Sequence, residues 1–330
     1  MVQMLDVETA VAQQLKRADV LTSSKTKRWW RKFNKYIPLF VMMLPGLLYL
    51  LINNYLPMFG LVIAFKDINF AKGILASNWA GFQNFEYLFK TTDAFTITRN
   101  TILYNGTFII LNTVVGVGIA ILLSEIKNRF FARLYQSAIL LPFLISIVIV
   151  SYLVFSMLSV DTGFMNKTIM PLLGMQPIQW YSEPKYWPFI LTFVNLWKQI
   201  GFLSIVYFAA IIGINQEFYE AATIDGASKW QQIRYITIPS IAPVIVMMTL
   251  LAIGRIFYAD FGLFYQVPMN SGALFDTTNV IDTYVYRGLM QLGDIGMSAA
   301  AGFYQSIVGF ILVLLSNWVV RKINSENALF

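Results

Sequence analysis

The chain has few side chains that could carry out covalent chemistry. It contains no cysteine and no histidine, so thiolate nucleophiles, the commonest metal ligand and the commonest general base are all missing. What remains are aromatic, amide and charged side chains within or beside apolar stretches. Aromatic faces flanked by hydrogen-bonding groups suit a sugar, whose ring face is apolar and whose rim carries hydroxyls. We therefore expect no catalytic residue and no metal site, and the candidate solute path comprises Asn195, Trp197, Arg255, Tyr258, Phe261, Tyr265 and Gln266.

Packing or membrane-belt roles are the alternative for these aromatic side chains. Aromatic residues make up 16% of the 330-residue chain, and Trp and Tyr are enriched at membrane interfaces in any case. The sequence therefore leaves both roles open for these residues.

The elements that must position these residues are membrane-spanning helices. Hydrophobic residues make up 57% of the chain and charged residues only 12%, whereas soluble domains have about 25% charged residues. Six runs are long and apolar enough to cross a hydrocarbon core of about 30 Å. The predicted spans cover residues 37–64, 101–124, 135–160, 187–210, 240–261 and 296–320. The sequence thus predicts an all-α membrane protein with a permease domain over 36–330 and an N-terminal segment over 1–35.

The distribution of Lys and Arg predicts the orientation of the chain. Connections on one side, together with both termini, carry 15 basic residues, and connections on the other side carry seven. Because basic residues accumulate on the cytoplasmic side, both termini are expected in the cytoplasm.

Three ionisable residues are predicted to lie within the spans: Lys198, Arg255 and Asp260. Such residues are expensive in a bilayer and favour a water-filled path, although charges near helix ends can also reach the interface or pair. For Arg255 the path and the structural role are equally plausible interpretations. For Lys198 we expect a buried ion pair or a contact between subunits.

The loop from Gly213 to Pro239, called the 213–239 loop below, has helix signals throughout. Asn215 can cap a first short helix, Gly226 can end it, and Ser228 can cap a second one before the fifth span begins at Pro239. The predicted product is a helix-turn-helix protrusion that another protein could receive in a groove. A helix that merely lies on lipid is the alternative, but its alanines and acidic residues suit a lipid surface poorly.

This loop carries a specific motif: Glu220-Ala221-Ala222, three residues, Gly226, nine residues, Ile236, one residue, then Ile238-Pro239. It resembles the EAA signature of bacterial ABC importer permeases, except that Ile238 replaces the usual Leu. Segment 79–89 resembles the sugar (carbohydrate-uptake) permease subfamily, and segments 280–289 and 300–318 resemble its LplB-like oligosaccharide and polysaccharide branch. The similarity covers about residues 36–330.

The resemblance implies a type I (MetI-like) fold of six transmembrane helices with a cytoplasmic coupling-helix loop. It also implies the partners: a second EAA-type permease, an ABC ATPase dimer that binds ATP and Mg²⁺, an extracytoplasmic solute-binding protein and a glycan substrate in a bacterial cytoplasmic membrane. Glu220, Ala221, Ala222, Asp225, Gly226 and Pro239 would then be the residues that couple the chain to the ATPase. No cofactor is expected in this chain, which lacks a phosphate-binding G-x-x-x-x-G-K-[ST] motif, and no nucleic-acid partner is expected.

Two further interpretations remain open at this point. One is an ABC permease for another solute, such as a peptide or a phosphorylated polyol. The other is a different class, an ion-coupled carrier or a membrane receptor scaffold.

Overall fold

A computed structural model of the chain describes residues 36–323, and both the expected N-terminal segment over 1–35 and the end of the tail lie outside this range. The described residues are almost entirely helical. The helices are α1 Tyr36–Phe65, α2 Gly73–Ala76, α3 Gln83–Lys90, α4 Thr92–Ser124, α5 Arg129–Leu144, α6 Ile147–Leu158, α7 over 165–172, α8 Trp187–Ile212, α9 Gln216–Ile224, α10 Lys229–Ile253, α11 Phe261–Gln266, α12 Phe275–Thr278, α13 Ile281–Met290 and α14 Ile295–Ile323. Two short strands, β1 Lys66–Asp67 and β2 Asn78–Trp79, pair antiparallel with Lys66 opposite Trp79.

Five of these helices are long and apolar enough to cross a membrane: α1, α4, α8, α10 and α14. A sixth crossing results if α5 and α6 are taken together, although they meet at a bend of 94°. The all-α architecture with up to six spans agrees with the expected fold class. The chain divides into two units at Val62, and everything described below lies in the unit that begins at Ile63.

Helix α4 begins at Thr92, nine residues before the predicted span. At about 1.5 Å per residue its 33 residues extend about 50 Å, which exceeds the thickness of the hydrocarbon core. Hydropathy marks the part of a helix that lies in lipid, and the first turns, with Asp93 and Arg99, extend beyond it.

The third predicted span is not one straight helix. Pro142 lies in the last turn of α5, and Ser146 caps α6 through a hydrogen bond from the amide of Val148 to its Oγ (3.3 Å). The carbonyls of Phe143 and Ile145 at this bend accept hydrogen bonds from Lys198 Nζ, at 3.2 and 2.5 Å. Lys198 thus forms no ion pair within residues 36–323, because the bend supplies carbonyl partners that the sequence pattern does not reveal. The other expected role of Lys198, a contact between subunits, stays a prediction.

Helix α10 also departs from its predicted bounds, at both ends. It begins at Lys229, inside the 213–239 loop, and ends at Ile253 rather than near Phe261. After Ile253 the chain makes tight turns, and the carboxylate of Asp260 starts α11 by accepting a hydrogen bond from the amide of Leu263 (3.1 Å). A capping aspartate favours a new helix start over continuation of the previous helix.

The core of this unit lies where α4 and α8 pack side by side against α6 and α11. Tyr104 and Phe108 of α4 contact Phe264 of α11, with ring centroids 4.8 and 6.2 Å apart. Fully buried Trp187 and Leu191 of α8 join the same cluster. Closer to the 213–239 loop, Gly201 of α8 packs directly on the backbone of α5 at Ile139.

Gly201→Ala should destabilise the protein by about 1–3 kcal/mol, the usual result of overpacking a close contact. A Cβ at this position would lie 2.0 Å from the carbonyl oxygen of Ile139. Gly118→Ala in α4 is the matched control, because nothing lies within 4 Å of its added Cβ. Thermal unfolding in detergent should give a lower Tm for the first variant and an unchanged or higher Tm for the second, and equal Tm values would contradict the contact.

Candidate functional site

The first half of the 213–239 loop is a capped helix. Asn215 Oδ1 accepts a hydrogen bond from the amide of Glu217 (3.1 Å), as the sequence predicts, and α9 follows over Gln216–Ile224. The acidic side chain of Glu217 lies in the first turn, where it interacts favourably with the helix dipole.

The turn after α9 depends on Gly226. The amide of Ala227 donates to the carbonyl of Ala222 (2.8 Å) and the amide of Gly226 to that of Thr223 (3.1 Å), which is the hydrogen-bond pattern of a Schellman motif. Gly226 has a φ of +78°, and a side chain with a Cβ is disfavoured in this conformation. The sequence prediction that Gly226 ends the helix is confirmed.

The second half of the loop is continuous with a membrane-spanning helix. Ser228 and Gln231 form a capping box, so the predicted cap is confirmed. The expected second short helix, however, does not end before Pro239. It passes through a wider turn over Ile233–Thr237, in which the amide of Ile238 donates to the carbonyl of Ile233, and becomes the span of α10. Because Pro239 has no amide hydrogen, its position just after this irregular turn is readily tolerated.

Three side-chain contacts hold the two helices of the loop together and fix them to the bundle. The hydroxyl of Tyr219 lies 2.9 Å from Thr237 Oγ1, and Gln232 Nε2 donates to Thr223 Oγ1 (3.0 Å). Lys229 pairs with Glu125, at the end of α4, with 3.1 Å between Nζ and Oε2. Gln232 and Thr237 are buried, so the loop has a small core of its own.

The predicted coupling residues lie on the outer surface of this loop. Glu220, Ala221, Asp225, Gly226 and Pro239 are exposed, and Ala222 is half-buried. Large apolar side chains, not predicted from the motif, are exposed on the same loop: Phe218, Ile224, Trp230 and Tyr235. A cavity of about 660 Å³ opens beside them, between the end of α4 and the loop, and its lining includes Glu220. The surface therefore combines an acidic side chain with exposed apolar groups.

A second cavity, called the amide cavity below, lies between α4, α8 and the end of α10. It has a volume of about 450 Å³, within the range of roughly 300–1,000 Å³ found for small-molecule sites. Three of the predicted path residues line it: Asn195, Arg255 and Tyr258. Asp260, for which the sequence favours a water-filled path, lines it as well. Polar residues that the prediction missed also line it: Asn105, Asn112, Thr113 and Gln199. Their spacing of seven residues on α4 and four on α8 places them on one face of each helix, a signal present in the sequence.

The other four path candidates lie outside this cavity. Phe261 and Tyr265 stack on each other with ring centroids 5.0 Å apart, and Tyr286 packs against both, at 4.7 and 5.1 Å. Gln266 ends the same helix, and Trp197 lies on a different face of α8 from Asn195. The structure thus separates an amide-lined cavity from an aromatic cluster that the sequence had grouped with it.

Hydrogen bonds from three helices hold the irregular segment over 255–260 that forms one wall of the amide cavity. Asn105 Nδ2 of α4 donates to the carbonyls of Ile256 (2.7 Å) and Tyr258 (3.3 Å). Gln305 Nε2 of α14 donates to the carbonyl of Phe257 (2.8 Å) and to Asp282 Oδ2 (3.1 Å). The same oxygen of Asp282, in α13, accepts from the amide of Ala259 (2.7 Å). Burial raises the pKa of Asp282 above its ordinary value, and these hydrogen bonds oppose that shift.

Across the amide cavity, α4 and α8 are joined by an amide pair. Asn112 Nδ2 donates to Asn195 Oδ1 (2.9 Å), and the remaining side-chain oxygen of Asn112 is buried without a hydrogen-bond partner. Within residues 36–323, no group of three or more acidic residues is arranged to hold a metal ion. The polar side chains that line the cavity offer hydrogen bonds and charge.

Comparison with known proteins gives a consistent result. Residues 112–325 match the family model of the binding-protein-dependent transport system inner membrane component. Protein LplB of Bacillus subtilis is 34% identical over 310 residues, with 94% of this chain and 96% of LplB covered. The polygalacturonan/rhamnogalacturonan transport system permease protein YteP of the same organism is 33% identical, with 94% and 95% covered.

A solved structure matches almost the whole chain. The crystal structure of a bacterial ABC transporter involved in the import of the acidic polysaccharide alginate includes a chain that is 32% identical. The TM-score is 0.82, with 90% of this chain and 99% of that chain covered. A second structure of a bacterial alginate ABC transporter, in complex with a periplasmic protein bound to an alginate pentasaccharide, gives a TM-score of 0.81.

Gln305→Leu should destabilise the wall of the amide cavity, because the buried carbonyl of Phe257 would lose its donor. Leaving such a group without a partner costs about 1–3 kcal/mol. Gln291→Leu is the control, since Gln291 is exposed at the end of α13. Thermal unfolding in detergent should show a lower Tm for Gln305→Leu only. A Tm equal to that of the control would contradict the supporting role of Gln305.

Proposed function

The chain belongs to the family of inner-membrane components of binding-protein-dependent transport systems, and we propose that it forms half of the pore of an ATP-driven importer for an oligosaccharide. Its chemistry is that of a multi-pass membrane subunit rather than of an enzyme. ATP is hydrolysed by a partner ATPase, a second permease completes the pore, and a solute-binding protein delivers the glycan. Both termini and the 213–239 loop face the cytoplasm.

The observation that carries this proposal is the construction of the 213–239 loop. It is stiff, because caps, a Schellman turn and cross-helix hydrogen bonds fix it, and it is continuous with α10. A partner that binds Glu220 and the neighbouring exposed side chains can therefore move a spanning helix instead of only bending a loop. Coupled motion of packed helices is an established route by which such switches operate.

The amide cavity supports a glycan as the solute. Its amides and hydroxyls match the donors and acceptors on a sugar rim, and Tyr258 offers an aromatic face. A relative such as the polygalacturonan/rhamnogalacturonan permease supports the same class. The aromatic cluster of Phe261, Tyr265 and Tyr286 lies next to the segment that forms the cavity wall and provides a second apolar surface for sugar rings, at the end of the bundle opposite the 213–239 loop.

An ion-coupled carrier is the competing function, and it makes a different prediction. Such a carrier would move solute without an ATPase, driven by a gradient. The exposed and stiff 213–239 loop would then have no partner, and changes on its surface would leave transport unaffected.

Gly226→Val should abolish association with the ATPase while leaving the protein in the membrane. A β-branched side chain is disfavoured at a φ of +78°, so the turn that sets the loop would rearrange. Glu220→Lys is expected to act likewise, by reversing the charge on the docking surface. Co-purification of the ATPase with tagged protein from membranes is the measurement.

Gly174→Val is the matched control for Gly226→Val. Gly174 also has a positive φ (+67°), has open space around it and ends a helix in the same way, but it follows α7 at the other end of the bundle. We expect this variant to lose a similar amount of stability and to retain the ATPase. Retention of the ATPase by Gly226→Val, or uptake by the chain without any ATPase, would contradict the proposed function.

A further inference from the structure

Among residues 36–323, no side chain forms an ion pair with Arg255, the positive charge of the amide cavity. Arg255 lies in the turn after α10, is exposed and lines the cavity. Asp260 lines the same cavity, yet the ion pairs within residues 36–323 do not join the two residues. One carboxylate oxygen of Asp260 instead accepts the amide hydrogen of Leu263 as the cap of α11. The guanidinium of Arg255 is therefore available to a ligand.

Lys198, the basic residue predicted within the fourth span, is not available in this way. Lys198 Nζ is held by two backbone carbonyls at the bend between α5 and α6, and Lys198 does not line the amide cavity. Arg255 is the single basic residue among those that line the cavity. Any anion that enters has one cationic partner there.

The backbone just after Arg255 is held in place by side chains of two helices, α4 and α14. The carbonyls of Ile256 and Tyr258 are bound by Asn105, and that of Phe257 by Gln305. This fixes the position from which the guanidinium reaches into the cavity. Arg255 lies two residues beyond the end of the spanning helix α10 and lines a polar cavity. Ionisable residues beside a water-filled cavity of a membrane protein mark pathways for polar solutes. A planar guanidinium binds a carboxylate through two parallel hydrogen bonds, and this geometry gives specificity as well as affinity.

We propose that Arg255 makes the pore selective for glycans that carry carboxylates, by binding the carboxylate of a uronic acid residue inside the amide cavity. The inference rests on the proposed function and names the substrate class of the same site. Asn112, Asn195 and Gln199 bind the hydroxyls of the same sugar ring. A neutral sugar ring would leave the guanidinium without an anionic partner.

The experiment compares uptake of two matched probes, with neutral maltotriose as a third sugar, by cells that express the complete transporter. The probes are α-1,4-linked trigalacturonate and its trimethyl ester, which has the same rings and no charge. The variants are Arg255→Gln, Arg255→Lys and Arg99→Gln. The last is a control, because Arg99 is an exposed arginine of α4 that does not line the amide cavity.

Arg255→Gln should lower uptake of the acid by about 10- to 100-fold, the effect of losing hydrogen bonds to a charged group. It should leave uptake of the ester within about twofold, since the ester makes no ion pair. Arg255→Lys should restore part of the acid uptake, and Arg99→Gln should not reduce it. ATP hydrolysis stimulated by the acid-loaded binding protein should persist in Arg255→Gln, which shows that the transporter is folded and coupled.

Three results would overturn the inference: undiminished acid uptake in Arg255→Gln, equal losses for acid and ester, or no acid uptake by the native transporter. ATP-dependent uptake of neutral maltotriose that is unaffected by Arg255→Gln would also overturn it, but would leave the importer function standing. Absence of ATP-dependent uptake for all three sugars would count against the proposed function as well.

Discussion

Inside a bilayer there is no water to hydrogen-bond with the backbone amides and carbonyls at a break in a helix. Every break in a spanning helix therefore needs hydrogen-bond partners within the protein. In this bundle, side chains supply them. Lys198 satisfies carbonyls at the bend between α5 and α6, and Asn105 and Gln305 satisfy those that follow α10. Irregular backbone occurs where such donors reach it, and one of these places is the wall of the amide cavity. The requirement for hydrogen bonds thus fixes the position of Arg255.

Helix α10 connects the two candidate sites. It begins at Lys229 inside the 213–239 loop and ends at Ile253, immediately before the segment with Arg255. Its 25 residues correspond to about 37 Å at 1.5 Å per residue. Since the loop is fixed to the start of this helix by the Tyr219–Thr237 and Gln232–Thr223 hydrogen bonds, a displacement of the loop reaches the cavity wall through one stiff element. This link gives a physical basis for the proposed coupling between ATP hydrolysis by the partner ATPase and solute access at the amide cavity.

Local signals were readable from the sequence, and signals that depend on tertiary contacts were not. Capping by Asn215 and Ser228 and the turn at Gly226 need only a few neighbouring residues, so the pattern predicts them. The carbonyl partners of Lys198 exist only because a distant helix bends beside it. Likewise, the amide of Asn105 acquires its role only when α4 meets the segment after α10. Hydropathy located the apolar runs, but α10 ends at Ile253, next to its C-cap Gly254, after which the chain continues in tight turns.

The central claim is that α9, the turn at Gly226 and α10 move as one body. The chain has no cysteine, so spin labels can be placed on Phe218→Cys and Leu251→Cys, both exposed positions, in the otherwise native protein. Electron spin resonance distances would be measured in the complete transporter with and without ATP, after confirming that the labelled protein retains its ATPase. The account predicts one narrow distance distribution that is the same in both states. A broad distribution, or a distance that shifts when ATP binds, would contradict it.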